Sequence, residues 1–448
     1  MTLGELAQRC GGRLLQADPA TLVTGFQWDS RNIQRGDLFL AIRGERVDGH
    51  EFIEQALASG AVAALCEQDG PGSRVVVQSV VDALAQLGKS FRSEFSGTVV
   101  GITGSVGKTT AKDLTAAALS PLGKILKTTG NQNTEITVPL MCTELLDGYT
   151  AAVFELGMRG KGQIAHLVAI VQPNIAMITR IGLAHAEKVG GAWGVYEAKT
   201  ELVRSLGPDG VAVLPFSDPR LRDEAPDFPG QVYWFGTELG CQMRILDVVA
   251  ADWTQTTFEL QYEDYDPVQV QLPMYAPQLA EIVAASLLVA VVAGAELTAA
   301  ASAISKTEFS GNRWQPFTTP SGARVVLDAY NASPESMSAA VETVMSAPGT
   351  RKFLILGEML ELGDLSDEEH EKLGRLLVQL KPDKVLLYGE RTKLTQKVAQ
   401  QGGVDAEWTD DYNKGKQLVL LAREGDVVLL KGSRGVALER CVDGVDLR

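Results

Sequence analysis

The chain has 448 residues, long enough for about three domains, with 45% hydrophobic and 22% charged residues, an ordinary balance for a soluble globular protein. A formal charge of −15 argues against nucleic acid as a general partner and makes any anionic ligand depend on local Arg and Lys pockets. The longest apolar stretch, 282–297, is broken by Ser286, Gly294 and Glu296, so no membrane insertion is expected.

The chain opens on Met1-Thr-Leu-Gly-Glu, without the basic and apolar regions of a signal peptide. Its five cysteines (10, 66, 142, 241 and 441) are scattered without metal spacing and read as reduced thiols, which predicts a cytoplasmic protein. Residues 1–96 carry short apolar runs at 37–42 and 61–65, with a helical pattern over 51–58 between them. From 97 to 308, strand-like runs at 99–103, 151–156, 175–179 and 211–214 alternate with helical patterns. That rhythm predicts a mostly parallel sheet with helices on both faces. Alternating Tyr, Val, Thr and Gln over 231–273 predict antiparallel strands, and an Ala-rich helix over 280–292 follows. Residues 309–448 restart the rhythm, with strands at 325–327, 353–356, 384–387 and 427–430. Helices at 336–345, 367–380, 394–400 and 414–422 separate them. The fold class is α/β, with a central P-loop parallel-sheet domain and a C-terminal Rossmann-like domain.

The strongest chemical signal is Val99-Val-Gly-Ile-Thr-Gly-Ser-Val-Gly-Lys-Thr-Thr110. A β-branched run ends in a Gly-rich turn, and Lys108, Thr109 and Thr110 open a helix. Glycines let backbone N–H groups close on phosphate oxygens, and the helix N-terminus adds partial positive charge. Lys108 would reach the β/γ-phosphates and the Thr109 hydroxyl would serve Mg²⁺. The strict pattern G-x-x-x-x-G-K-[ST] wants Gly where this chain has Ile102; its glycines fall at 101, 104 and 107. A Lys directly after the last Gly, then two hydroxyls, predicts a nucleoside triphosphate site.

Other residues are ambiguous when taken alone. Glu155 ends a predicted strand, where a carboxylate either caps the strand or serves a metal beside a phosphate loop. His185 lies at a Gly turn and reads as structural or functional. The stretch Asn131-Gln-Asn-Thr-Glu135 reads as a solvated loop, and Lys199 as a surface lysine on a helix.

Together these stretches resemble the central domain of the Mur ligases. The likeness runs in order through Thr103-Gly-Ser-x-Gly-Lys-Thr-Thr110, Gly130-Asn-x-Asn-Thr-Glu135, Glu155-Leu-Gly157, Gly182-x-Ala-His185-x-Glu187 and Glu197-Ala-Lys-Thr-Glu201. Asp29-Ser-Arg31, Gly36-Asp-Leu-Phe-x-Ala41 and Gly44-Glu-Arg-x-Asp-Gly-His-x-Phe52 resemble the family's N-terminal nucleotide-sugar domain. Asp328-x-Tyr-Asn-Ala-x-Pro-x-Ser-Met337, Leu356-Gly-Glu-Met-Leu-Glu-Leu-Gly363 and Lys431-Gly-Ser-Arg-Gly435 resemble the C-terminal domain of the member that handles D-alanyl-D-alanine.

The resemblance implies three domains: 1–96 for the nucleotide-sugar substrate, 97–308 for ATP and 309–448 as the Rossmann-like ligase domain. It implies an ATP-dependent ligase, monomeric, joining a UDP-linked muramoyl tripeptide to D-alanyl-D-alanine through an acyl phosphate. ATP would lie on Thr103, Gly104, Ser105, Val106, Gly107, Lys108, Thr109 and Thr110, with Asp328 at the ribose and Arg313 near the γ-phosphate. Mg²⁺ would be held by Thr109, Glu155 and His185. Lys199 stands where the family carries a carbamate. Lys108, Lys199, His185 and Arg313 would be the catalytic set. Ser30 and Arg31, with 43–50 nearby, would meet the UDP end, Asn133 and Thr134 the substrate, and Tyr330 and Asn331 the dipeptide side. Departures from the family pattern fall at Val106, Thr137, Arg180 and, on the adenine side, at Ala276, Gln278 and Ile282. They predict weakened discrimination between ATP and GTP. The same chemistry on another carboxylate and amine, or a catalytically silent paralogue, are the alternative readings. A hinge over 307–313 would let the third domain close on ATP.

Overall fold

The computed structural model describes residues 1–44, 47–130, 132–307, 309 and 314–448. These form three sheets of five, nine and six strands, built in chain order. The first runs Arg13–Leu15, Arg74–Val76, Ala63–Cys66, Asp37–Leu40, Gly25–Gln27, parallel except for its first pair. The expected helix over 51–58 divides into a 3₁₀ turn, Gly49–Phe52, and the helix Ile53–Ala58.

Helix Val80–Glu94, capped by the Ser79 side chain, leaves this sheet and packs against Thr137–Cys142 and Gln163–Val171 of the next unit. Gly88 lets the two backbones meet, since a Cβ there would lie 2.8 Å from Pro139 Cα. Arg92, buried, donates to the carbonyls of Val171 (2.7 Å), Gln172 (2.8 Å) and Phe95 (2.9 Å). Each of those carbonyls is satisfied by a charged donor, so the first and second units are tied firmly.

In the second sheet Thr98–Thr103 lies between Ala151–Glu155 and Ile175–Ile178, all parallel, with Val211–Pro215 beyond. Successive side chains on a strand point to opposite faces. Val100, Ile102, Val153, Met177 and Val213 therefore enter one apolar cluster with helix Ala280–Val292. Val99, Ala152, Phe154, Ala176, Ile178 and Leu214 enter the cluster on the other face. Strands apolar on both faces, covered by helices on both faces, are the physical content of the doubly wound expectation.

The region 231–273 departs from expectation. Gln231–Gly236 pairs parallel with Val211–Pro215, and Met243–Val249 steps off its end, also parallel. The antiparallel ladder is confined to Met243–Val249, Thr256–Tyr262 and Val268–Leu272, and it extends the same nine-stranded sheet. Alternation reveals a strand but not its direction. Helix Pro219–Glu224 provides a crossover before Gln231, whereas short turns join the last three strands.

The third sheet runs Gln315–Thr318, Arg324–Asp328, Asp426–Lys431, Arg351–Gly357, Lys384–Tyr388, Ala406–Trp408, parallel except for its first pair. Its helix Pro334–Ser346 begins in a capping box between Ser333 and Ser336. Val326, Leu354, Leu356, Val427 and Leu429 share one apolar cluster with the second sheet, so these two units have a continuous core on one side. All five cysteines are free and buried, in keeping with reduced thiols. No described helix is long and apolar enough to cross a membrane.

Candidate active site between the second and third units

The phosphate loop joins strand Thr98–Thr103 to helix Lys108–Leu119, which starts three residues before its apolar pattern. Gly107 caps that helix at φ +79°, without a side-chain cap, and a Cβ there would lie 2.4 Å from Ile282 Cδ1. The helix therefore presents first-turn N–H groups that have no capping side chain, the arrangement an anion completes. The loop is held from behind. Ser105 N donates to the Arg180 carbonyl (2.7 Å), Thr179 Oγ1 to the Val106 carbonyl (2.6 Å), and Thr103 Oγ1 to the Leu156 carbonyl (2.9 Å). Lys108 folds back over the loop, Nζ donating to the Gly104 carbonyl at 2.7 Å. Thr110 lines the cleft beside it.

Two expected positions, Thr109 and Glu155, meet at the loop's head. Thr109 Oγ1 donates to Glu155 Oε2 at 2.7 Å, both buried, and Asn133 Nδ2 donates to Glu155 Oε1 at 3.2 Å. The register that pairs Ile102 with Glu155 brings this carboxylate to the loop. Thr134 is engaged with Thr137, hydroxyl to hydroxyl, at 3.0 Å. Among the described residues, no three His, Cys, Asp or Glu side chains cluster to hold a metal unaided.

Lys199 is not a surface residue. It sits on helix Gly191–Arg204, fully buried, and burial pushes its ammonium well below the usual lysine range. The nearby Lys108 charge acts in the same direction, while Glu155 and Glu201 oppose it. His185 adopts φ +66°, and its Nδ1 makes a short hydrogen bond with Glu361 of the third unit, to which Lys188 Nζ also donates at 3.1 Å. The hydrogen bond from His185, offset in part by desolvation, and the charge of Lys188 hold the Glu361 carboxyl down at about 2.

From the third unit, Asp328 ends strand Arg324–Asp328 and accepts from Lys431 Nζ at 2.6 Å. Lys431 is buried and also donates to the Asn331 carbonyl at 3.2 Å. The Asn331 side chain accepts from Ala332 N (2.9 Å), and the Arg434 guanidinium lies over the Tyr330 ring, 5.4 Å from its centroid. A cleft of about 660 Å³ separates the two units. Residues 105–108 line one wall, and Asp328, Asn331 and Lys431 the other. Gln278 and Ile282 close one end.

Ser30 and Arg31 lie on the first unit, outside this cleft. Ser30 Oγ donates to Gln55 (3.3 Å), and Arg31 clamps Asp29, holding that carboxyl at about 2. His50 is engaged on both ring nitrogens, with Asp48 (2.6 Å) and the Glu67 N–H (3.0 Å). Arg313 and Asn131 lie outside the described residues, as do 45, 46, 308 and 310–312, and with them most of the expected hinge.

Sequence reasoning missed three groups. Lys431 opens a quoted motif, but its pairing with Asp328 depends on strands about a hundred positions apart, joined side by side in the sheet. Glu335 Oε1 accepts from Leu183 N at 2.8 Å, and Glu361 holds His185; both are contacts between units that no local pattern signals. For Lys199 a signal existed. Val195 and Leu202 stand four before and three after it, on one buried helical face.

Three family profiles match the chain: "Mur ligase family, catalytic domain" over residues 22–92, "Mur ligase middle domain" over 102–290, and "Mur ligase, glutamate ligase domain" over 312–434. The UDP-N-acetylmuramoyl-tripeptide--D-alanyl-D-alanine ligase of Bacillus subtilis is 32% identical, covering 98% of this chain and 97% of that protein. The protein of the same name from Escherichia coli is 31% identical, over 99% and 97%. Among solved structures, MurF ligase from Thermotoga maritima in complex with ADP is 33% identical with TM-score 0.83, over 94% of this chain and 96% of that one. MurF from Acinetobacter baumannii is 29% identical with TM-score 0.89, over 99% and 98%.

Proposed function

This chain belongs to the Mur ligase family, and from that premise we propose that it joins D-alanyl-D-alanine to UDP-N-acetylmuramoyl-tripeptide at the expense of ATP, a step of peptidoglycan precursor synthesis. The observation that carries the reading is the extent of the likeness. Relatives of that name match across all three units, so the nucleotide-sugar, ATP and amine sides are retained together. We set the domains at 1–96, 97–308 and 309–448.

The substrate carboxylate attacks the γ-phosphorus and ADP leaves, giving an acyl phosphate. The dipeptide amine then attacks the acyl carbon, an amide forms, and phosphate leaves with the C–O bond that breaks. The physical difficulty is an anion approaching a polyanion, so catalysis depends on placed positive charge and on orientation. Lys108 and the uncapped helix turn supply charge at the phosphates, and Arg313 is assigned the γ-phosphate. Asp328, oriented by Lys431, meets the ribose. Tyr330 and Asn331 shape the dipeptide side, Asn133 and Thr134 the tripeptide side, and Ser30 and Arg31 the UDP end.

The donor set fits a magnesium ion. Thr109 Oγ1 and Glu155 Oε2, 2.7 Å apart, are hard oxygens at the loop's head. Mg²⁺ takes one or two such protein groups and fills its shell with phosphate oxygens and water. When bound it neutralises charge on the phosphates; Thr109, Glu155 and His185 would hold it. Burial lowers the Lys199 ammonium, which favours the free amine that CO₂ needs to form a carbamate, a further oxygen donor. We further propose that the protein acts as a monomer, and ATP use supports a cytoplasmic location.

The test is phosphate release on mixing ATP, Mg²⁺, the tripeptide nucleotide and D-alanyl-D-alanine, with one phosphate expected per dipeptide added. No release with that set, but release with another amine, would assign the same chemistry to a different pair of substrates.

A further inference from the structure

The turn 182–188 of the second domain is gripped by two carboxylates of the third. Glu335 Oε1 accepts from Leu183 N at 2.8 Å. Glu361 accepts from Lys188 Nζ at 3.1 Å and is bonded to His185 Nδ1, while its main-chain carbonyl accepts from Glu187 N at 3.2 Å. Glycines make this approach feasible: a Cβ on Gly182 would lie 2.2 Å from Glu335 Cδ, and one on Gly363 3.3 Å from Glu187. His185 and Glu361 both hold left-handed backbone, at φ +66° and +63°, a conformation that costs non-glycine residues free energy and persists when surrounding contacts fix it.

An ionised carboxylate only accepts, so the proton between the two side chains belongs to His185 Nδ1. In the neutral imidazole Nε2 is then the nitrogen that carries the lone pair. A carboxylate on one imidazole nitrogen commonly fixes the tautomer and aim of the other for a metal. Here the carboxylate and the imidazole come from different domains.

We propose that Glu361 is a positioning residue that couples docking of the third domain to the orientation of His185. With the domain docked, Glu361 holds the imidazole through Nδ1 and leaves Nε2 for a metal; with the domain away, the ring loses that hold. The inference rests on the reading of His185 as a metal-side residue. It does not depend on which amine is joined.

The experiment uses the full chain with a non-hydrolysable ATP analogue and Mn²⁺ as the metal probe. The chain has four histidines, so imidazole ¹⁵N spectra are tractable and His185→Ala assigns the relevant pair. We expect an Nδ1–H tautomer in the wild type, lost in Glu361→Ala and kept in Glu361→Gln, whose amide oxygen still accepts. Mn²⁺ affinity of the nucleotide complex, read by electron paramagnetic resonance, should fall about tenfold in Glu361→Ala. The double variant with His185→Ala should be no weaker than His185→Ala alone. Lys188→Ala, which removes an exposed ion pair to the same carboxylate, should leave both readouts within about twofold. An unchanged imidazole signature in Glu361→Ala would overturn the proposal. So would losses that multiply in the double variant, or a Lys188→Ala loss equal to that of Glu361→Ala, which would make the carboxylate a docking anchor only. Neither readout involves the sugar nucleotide or the dipeptide, so failure here and failure of the substrate assignment are separable.

Discussion

Lys108 reaches the Gly104 carbonyl at 2.7 Å, folded over the loop that faces the cleft, and its charge serves the transferring phosphate. Replacing it with Ala should lower kcat by roughly 10²–10³-fold. Calorimetric binding of the sugar nucleotide should persist, because Ser30 and Arg31 stand in a 3₁₀ turn of the first unit, outside the cleft; loss of both together would refute the separation of sites. Gln278 carries a second expectation. Its Oε1 is buried in the lining of the cleft without a hydrogen-bond partner among the described residues. An acceptor there suits the amino edge of adenine and repels the carbonyl edge of guanine, so Gln278 is expected to supply discrimination that Ile282 cannot. Gln278→Ala should shrink the ATP/GTP ratio of kcat/KM by about 1–3 kcal/mol. Ile282→Asn should do less, since Ile282 packs on Gly107. If the ratio is unmoved by Gln278→Ala, another group reads the base. At this scale the sequence displayed the phosphate loop, whose glycines, lysine and hydroxyls are contiguous, and left Glu155 ambiguous, because its partner Thr109 is remote in the chain. It concealed Lys431, Glu335 and Glu361, whose partners are remote.

Elements were legible where the hydrophobic period was strong. The strands around Val100, Val153, Leu354 and Leu429 and the helix Ala280–Val292 lie where the apolar pattern sets them. Direction was not legible in 231–273, since alternation looks the same either way, and the links 237–242 and 250–255, equal in length, lead to a parallel and an antiparallel pair. Strand Arg351–Gly357 also hides a titrating group. Lys352 is buried, its Nζ donating to the Ala347 carbonyl at 2.5 Å, and burial lowers it from 10.5 to about 8. Between those values the unfolded chain binds more protons than the folded one, so stability rises with pH across that window. Below about 8 both states are protonated and the cost of the buried charge is fully present. Compared with Lys352→Met, the wild type should therefore gain up to about 3 kcal/mol as pH rises from 8 towards 10.5, read from urea midpoints of the two proteins. A difference that stays flat with pH would mean that Lys352 is solvated in the folded protein and titrates as it does in the unfolded chain.

At the scale of the molecule, the three domains are joined unequally. The first and second are locked by buried Arg92, which serves three carbonyls, and by the Gly88–Pro139 approach. The second and third share an apolar cluster on one side of the cleft, and Trp314 Nε1 donates across it to the Tyr275 carbonyl at 2.7 Å. At the opposite rim they meet through Glu335 and Glu361 on the turn 182–188. These contacts are few and polar against a continuous apolar cluster on the other side, so the rim is where the cleft is expected to yield to admit ATP. Motion should then belong to the third domain alone, pivoting on the apolar side, and closure should shield the acyl phosphate from water. X-ray scattering of the free chain is expected to show a larger radius of gyration than the docked arrangement, shrinking to it when ATP analogue and sugar nucleotide bind together. The combined Glu335→Ala, Glu361→Ala variant should widen the free form further and need more ligand to close. Profiles identical with and without both ligands, in wild type and variant alike, would mean that the apolar side holds the two domains rigid and that ATP enters a cleft already closed.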